Sequence, residues 1–259
     1  GTISALMARA MTQTIKDYVA GSPLAHLPLI AAVASPPAGG LGGVMNFVEI
    51  PKGTVHARHA AMTCPYPNQI WAAPLSGAAL RDWAERAAAY FAPEDADLSP
   101  LVNPNAPAFS FDTLVGVETE FDPIAPPRFS VSGDLLDKTA SRVRAMRFNG
   151  LDVAPDDQFL VAMSSYRGAG GNNYPGLGNV NALLRTDVDM NAAICDVFQA
   201  GALGDRPAPS AWRFAKGLDA QVVIETSPKA ANHLDDIARF DPQPLGLNAD
   251  GFLRLRVTI

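Results

Sequence analysis

The chain is poor in cysteine, in histidine and in charge. Only Cys64 and Cys195 occur among 259 residues, too few for a disulfide framework or a cysteine-rich metal cluster. Their wide separation gives no geometric guide to pairing, so the expectation is two unpaired, mostly buried thiols. No apolar run reaches the roughly 20 residues that a membrane-spanning helix needs. Charged residues make up 18% and the formal net charge is −6; a general nucleic-acid surface needs a basic face, and this balance argues against one. It leaves room for one small anionic ligand held by a few local donors. No Gly-Lys-Ser/Thr phosphate loop, serine nucleophile elbow or Cys-His pair appears. The opening Gly-Thr carries no signal peptide, and the chain is expected to be a fragment or processed form.

Apolar residues reach 48%, enough for a large core in one big domain or two small ones. The 22 prolines and 21 glycines imply many turns and long irregular connections. Helical spacing covers 2–20, 76–91 with Ser76 as cap, a segment opened by Asp189 and stopped at Gly201, and 228–239 behind Ser227-Pro228. Strand-like runs are 69–75, 114–121, 143–148, 158–165, 180–185, 220–225 and 252–258, with FNGLDV (148–153) as a tight turn. Strands come singly and in neighbouring pairs between helices, which predicts an α+β fold with mixed or antiparallel sheets. The stretches 92–108 and 122–141 read as long loops, functional or tied down by packing.

Metal sites are poorly represented. His56 and His59 in HARH share a face only on a helix, and no carboxylate adjoins them. Asn232-His233-Leu234-Asp235 lacks a preceding glycine and an upstream Asp-x-His, so it reads as ordinary helix. Asp112 in FSFD (109–112) and Asp122 lie near aromatics, and Asp112 is expected to cap a turn. Trp71, Trp83 and Trp212 read as core.

Two tyrosines in loop-like sequence carry the most information: Tyr66 in CPYPNQ (64–69) and Tyr166 in SSYRGAGGNNYPG (164–176). Each stands beside Pro, Gly or Asn at the end of a strand-like run. A pair of exposed rings facing each other grips a flat ligand, and nucleobases stack with little regard to identity. The glycines of the second segment allow close backbone approach, and its asparagines supply amides that can read a base edge. Residues 36–46 (PPAGGLGGVMN) are either a second ligand-facing glycine loop or a flexible connector.

These segments resemble the C-terminal domain of bacterial 2′,3′-cyclic-nucleotide 2′-phosphodiesterase/3′-nucleotidases, within the 5′-nucleotidase family. The likeness runs through LPLIAAVASPPAGG (27–40), CPYPNQIWAAPLSGAALRDWAERAAAYF (64–91), FSFDTLVGVETEFDPIAPPRFS (109–130), VRAMRFNGLDVAPDDQFLVAMSSYRGAGGNNYPG (143–176) and AWRF (211–214). It implies one substrate-binding domain over 1–259, with Tyr66 and Tyr166 sandwiching the base and Asn68 bonding it. Arg167, Asn172 and Asn173 are further candidates beside the same loop. It also implies a separate N-terminal metallophosphoesterase domain holding two divalent metal ions, nucleotide or nucleoside as partner, and a periplasmic parent. Relatives commonly have an arginine after the Gly-Gly pair where Leu41 stands here, so no phosphate role is carried over to that position. The alternatives from other classes are a carbohydrate-binding module that uses the tyrosines as sugar platforms, and a structural interaction domain.

Overall fold

The computed structural model describes residues 2–51, 53–92, 99–177, 183–201 and 211–259. The elements in chain order begin with α1 (Thr2–Tyr18), β1 (Leu29–Ala34), α2 (Ala57–Thr63), β2 (Gln69–Ser76), α3 (Gly77–Ala88), β3 (Asp112–Val115) and β4 (Glu118–Phe121). They continue with β5 (Val143–Phe148), β6 (Leu151–Asp152), β7 (Gln158–Ser164), α4 (Ser165–Gly168), β8 (Leu184–Asp189) and α5 (Met190–Gln199). The last are β9 (Trp212–Phe214), β10 (Gln221–Thr226), β11 (Gln243–Leu247) and β12 (Leu253–Thr258).

A mixed sheet in the order β3-β1-β7-β2-β8 forms the centre. Strand β1 runs parallel to β7, and the other pairs are antiparallel. Both faces of this sheet are covered, which explains the unbroken apolar runs of its inner strands. In β1, Ile30 and Ala32 face a core with α3, while Ala31 and Val33 face a second core with α1 and α5. Strand β7 alternates the same way, Val161 and Met163 against Leu160 and Ala162. The first core also receives a second sheet, β6-β5-β4-β9, and a third sheet, β10-β12-β11, closes a smaller core of its own. This is the expected α+β fold with mixed and antiparallel sheets.

Several local expectations change. The run 114–121 is two strands, because Gly116 turns the backbone at φ +118 against Ile30, where a Cβ would approach within 2.7 Å. Residues Pro228–Phe240 form 3-10 turns rather than one α-helix, kinked at His233 and Ile237. Ala230, Leu234, Ile237 and Phe240 pack there on the third core. Part of the 180–185 run lies outside the described residues, and the strand follows as β8. The end of the 92–108 loop and the 122–141 loop are tied by buried groups. The guanidinium of Arg142 donates to the carbonyls of Ala88, Phe91, Ala92 and Ala125, closing the end of α3. It is Asp122 rather than Asp112 that caps a turn, accepting from the amides of Ile124 and Ala125.

Candidate functional site

Strand direction alone brings the site together. Strands β1, β7 and β8 end at one edge of the central sheet, and their antiparallel neighbours β2 and β3 begin there. Register makes this concrete: Ile70 pairs with Ser164, Ala34 with Asp112, and Gln69 with Asp189. Tyr66, just ahead of β2, therefore stands at the same edge as Tyr166, just beyond β7, although 100 positions separate them in sequence. The amide of Gln69 donates to Ser165 Oγ at 3.0 Å and pins one tyrosine segment to the other. The amide of Met190 donates to the Asn68 carbonyl at 2.9 Å and fastens the first segment to α5.

Both tyrosines are exposed, Tyr66 at 53% and Tyr166 at 45%. Between them stands Phe109, from the turn that leads into β3. Its ring meets Tyr66 at 6.1 Å and 78°, and Tyr166 at 6.4 Å and 84°. Each tyrosine ring is thus nearly perpendicular to the ring of Phe109. All three rings and the half-buried Asn68 line a cavity of about 690 Å³, within the range of small-molecule sites. Phe109 is not evident from the sequence, where FSFD draws attention to its carboxylate; the available signal is a second aromatic three residues before Asp112 at a strand entry.

Tyr166 is held by its surroundings. It occupies the single turn α4, where Ser164 Oγ accepts from the Arg167 amide at 3.3 Å. Its hydroxyl donates to Asn172 Oδ1 at 3.1 Å. The absence of a side chain at Gly171 lets the ring lie flat there, since a Cβ would come within 2.5 Å of it.

Arg167 has a buried guanidinium, 1% exposed, in a two-pronged pair with Asp112: Nε to Oδ2 and Nη2 to Oδ1, both 2.9 Å. It also donates to the carbonyls of Phe109 and Gly171. Burial alone would lower its pKa, but the charge and hydrogen bonds of Asp112 outweigh it and raise the value. Asp112 accepts further from Trp83 Nε1 at 3.0 Å. Arg167 touches the cavity, and its bonds to Asp112 and to the Phe109 and Gly171 carbonyls fix the Phe109 turn to the Tyr166 turn. Asn172 also gives Nδ2 to Ser110 Oγ at 3.1 Å, and Asn173 gives Nδ2 to the Ser132 carbonyl at 2.8 Å. Both adopt positive φ, and their amides brace the loop rather than line the cavity.

The glycine segment also lines the cavity. Gly39 N–H donates to the Asn46 carbonyl at 2.7 Å, and Ala38 bridges to Phe47, so the segment is a closed, hydrogen-bonded loop. Gly39, Leu41, Gly42 and Asn46 face the cavity. Deeper in, Cys64 is unpaired, and burial pushes its thiol pKa up.

Among the described residues, no group of three or more His, Cys, Asp or Glu could hold a metal ion. His59 Nδ1 instead accepts the His56 amide at 3.0 Å and closes the first turn of α2, while the exposed His233 pairs with Asp236 at 3.6 Å. A dimetal centre therefore finds no donor set among these side chains.

Residues 4–179 match the family model described as the 5′-nucleotidase C-terminal domain. A 2′,3′-cyclic-nucleotide 2′-phosphodiesterase/3′-nucleotidase of Yersinia enterocolitica is 30% identical over 97% of this chain and 40% of its own length. The protein of the same description from Salmonella typhimurium is 29% identical over 95% of this chain and 40% of its own. The chain thus spans well under half the length of these relatives. Among solved structures, a 5′-nucleotidase precursor of Thermus thermophilus superposes with a TM-score of 0.57 at 14% identity, covering 83% of this chain and 35% of that one. At that identity the likeness concerns the fold.

Proposed function

The chain belongs to the 5′-nucleotidase C-terminal domain family, and from that membership we propose that it binds the nucleoside part of the substrate for a longer phosphoesterase. The parent would act on 2′,3′-cyclic nucleotides and 3′-nucleotides, as the names of its relatives suggest. The observation that carries this reading is the aromatic cluster, read as a clamp: two exposed tyrosines, each edge-to-face with Phe109, lining one cavity. A base slides between the rings, and Asn68 at the cavity wall bonds its polar edge. Arg167, Asn172 and Asn173 act at one remove, holding the rings in place.

The division of labour follows from the side chains present. Metal ions bound to a separate domain supply a nucleophile and charge neutralisation at phosphorus. This chain contributes position, which removes part of the entropic barrier. Two stacking contacts of about 1–3 kcal/mol each, before ordering costs, predict weak to moderate affinity for a free nucleoside. We place the parent in the periplasm by the same kinship; release of its activity by osmotic shock tests that.

The isolated chain should not hydrolyse 2′,3′-cyclic AMP or 3′-AMP in the presence of manganese or zinc, yet should bind adenosine. Turnover that follows the purified chain through chromatography contradicts the division of labour. Binding of oligosaccharide in place of adenosine would make the tyrosines sugar platforms instead.

A further inference from the structure

The cavity does not end at the aromatic clamp. Its inner wall is made by Met7 and Met11 of α1, Met190 of α5, Val33 of β1, and Thr63 and Cys64 ahead of the Tyr66 segment. None of these side chains is more than 6% exposed, and all but Thr63 belong to the second core. The recess thus runs from the rings into the hydrophobic interior between the sheet and its helices. Met7 and Met11 are one helical turn apart and share the face that packs on the sheet. Thioether side chains are flexible and polarisable, and adapt to apolar groups of varied shape.

Ligand orientation follows from chemistry, given the clamp reading above. A ribose carrying phosphate is polar and must point outward, toward solvent and the hydrolytic machinery. In a purine nucleoside the glycosidic bond leaves from N9, at the five-membered ring. The far end of the base, with C6 and its exocyclic nitrogen and with C2, therefore points inward. The wall it meets there carries three thioethers, a valine and a thiol whose pKa burial raises. On that inner wall Thr63 Oγ1 already donates to the Ala60 carbonyl at 2.7 Å, while the amide of Asn68 lines the cavity elsewhere.

We infer that this methionine-lined recess is a subsite for an apolar substituent on the inner edge of the base, and that the site takes N6-alkylated purine nucleosides in preference to unmodified ones. The inference rests on the proposed base clamp and adds a substrate class to it. Each buried methylene multiplies affinity by about fourfold at best. Ordering a flexible chain takes back part of that gain.

The experiment is calorimetric titration of the whole chain with adenosine, N6-isopentenyladenosine and N6-(2-aminoethyl)adenosine. The isopentenyl compound should bind at least about tenfold more tightly than adenosine, since several apolar carbons enter the recess. The aminoethyl compound, of similar reach but cationic, should bind more weakly than adenosine, because the recess would strip its charge of water. Filling the space by Met11→Phe should move the isopentenyl-to-adenosine ratio toward one; the ligand series on the unmodified chain decides the matter if that variant does not fold. Adenosine binding with no isopentenyl advantage overturns the subsite and leaves the clamp standing. Binding of none of the three overturns both.

Discussion

Tyr66 and Tyr166 look alike as sequence, but they are held differently, and their hydroxyls should matter differently. Tyr166 gives its hydroxyl hydrogen to Asn172, which in turn bonds Ser110 beside Phe109. Tyr166→Phe should therefore lose about 0.5–1.5 kcal/mol of stability in chemical denaturation, the net worth of one hydrogen bond. Tyr66→Phe keeps its π-face and should leave adenosine affinity nearly unchanged; a large loss would show that the hydroxyl, not the ring, recognises the ligand. Arg167 is a second instance where the surroundings add what residue type does not show. Beside Tyr166 it reads as a ligand contact, and its fork is closed on Asp112 inside the protein. Arg167→Ala leaves that carboxylate buried and uncompensated, and should cost about 3–5 kcal/mol in denaturant melts. A variant as stable as the parent would mean that Arg167 is free to serve the ligand. A sequence shows that an arginine follows a tyrosine. It does not show which acid, 55 positions away, will absorb its charge.

At the scale of elements, the parts written in local chemistry were the parts legible in advance. Ser76 caps α3 by accepting the Ala79 amide at 3.2 Å, and Asp189 caps α5 by accepting the Ala192 amide at 2.9 Å. Ser76→Ala should cost about 1 kcal/mol, read as a shift in the denaturation midpoint; no shift would mean that packing of Trp83 and Leu80 alone fixes the start of the helix. The Asn149-Gly150 turn was equally visible, since both residues take the positive φ that a tight hairpin demands. Strand β1 was not. Its LIAAVA run lacks alternation because both faces are buried, and without alternation a short apolar run carries no strand signature. The same strand supplies one wall of the cavity, so missing it hid the recess. Met7 and Met11 were readable as the apolar face of a helix, but the sequence could not say that this face borders a cavity.

For the whole molecule, one domain over 1–259 is our proposal, and the contacts between sheets support it. Leu101 packs on both the first and third cores, and its amide donates to the Val223 carbonyl at 2.8 Å. Phe214 of the second sheet meets Phe240 beside the third at 6.3 Å. Unfolding in denaturant should then be a single transition, coincident by tryptophan fluorescence and far-ultraviolet circular dichroism. Two separated transitions would divide the chain into independent units.

Binding of a nucleoside base by the aromatic clamp is tested most directly by calorimetric titration with adenosine. The chain should bind adenosine weakly to moderately. Tyr66→Ala, Tyr166→Ala and Phe109→Ala, each confirmed folded, should each lower the affinity, the two tyrosine changes by about 1–3 kcal/mol apiece. Those two losses should not add, because a base that has lost one wall can tilt away from the other. Folded alanine variants that bind as well as the parent, or a parent chain with no adenosine binding at millimolar concentration, would contradict the assignment.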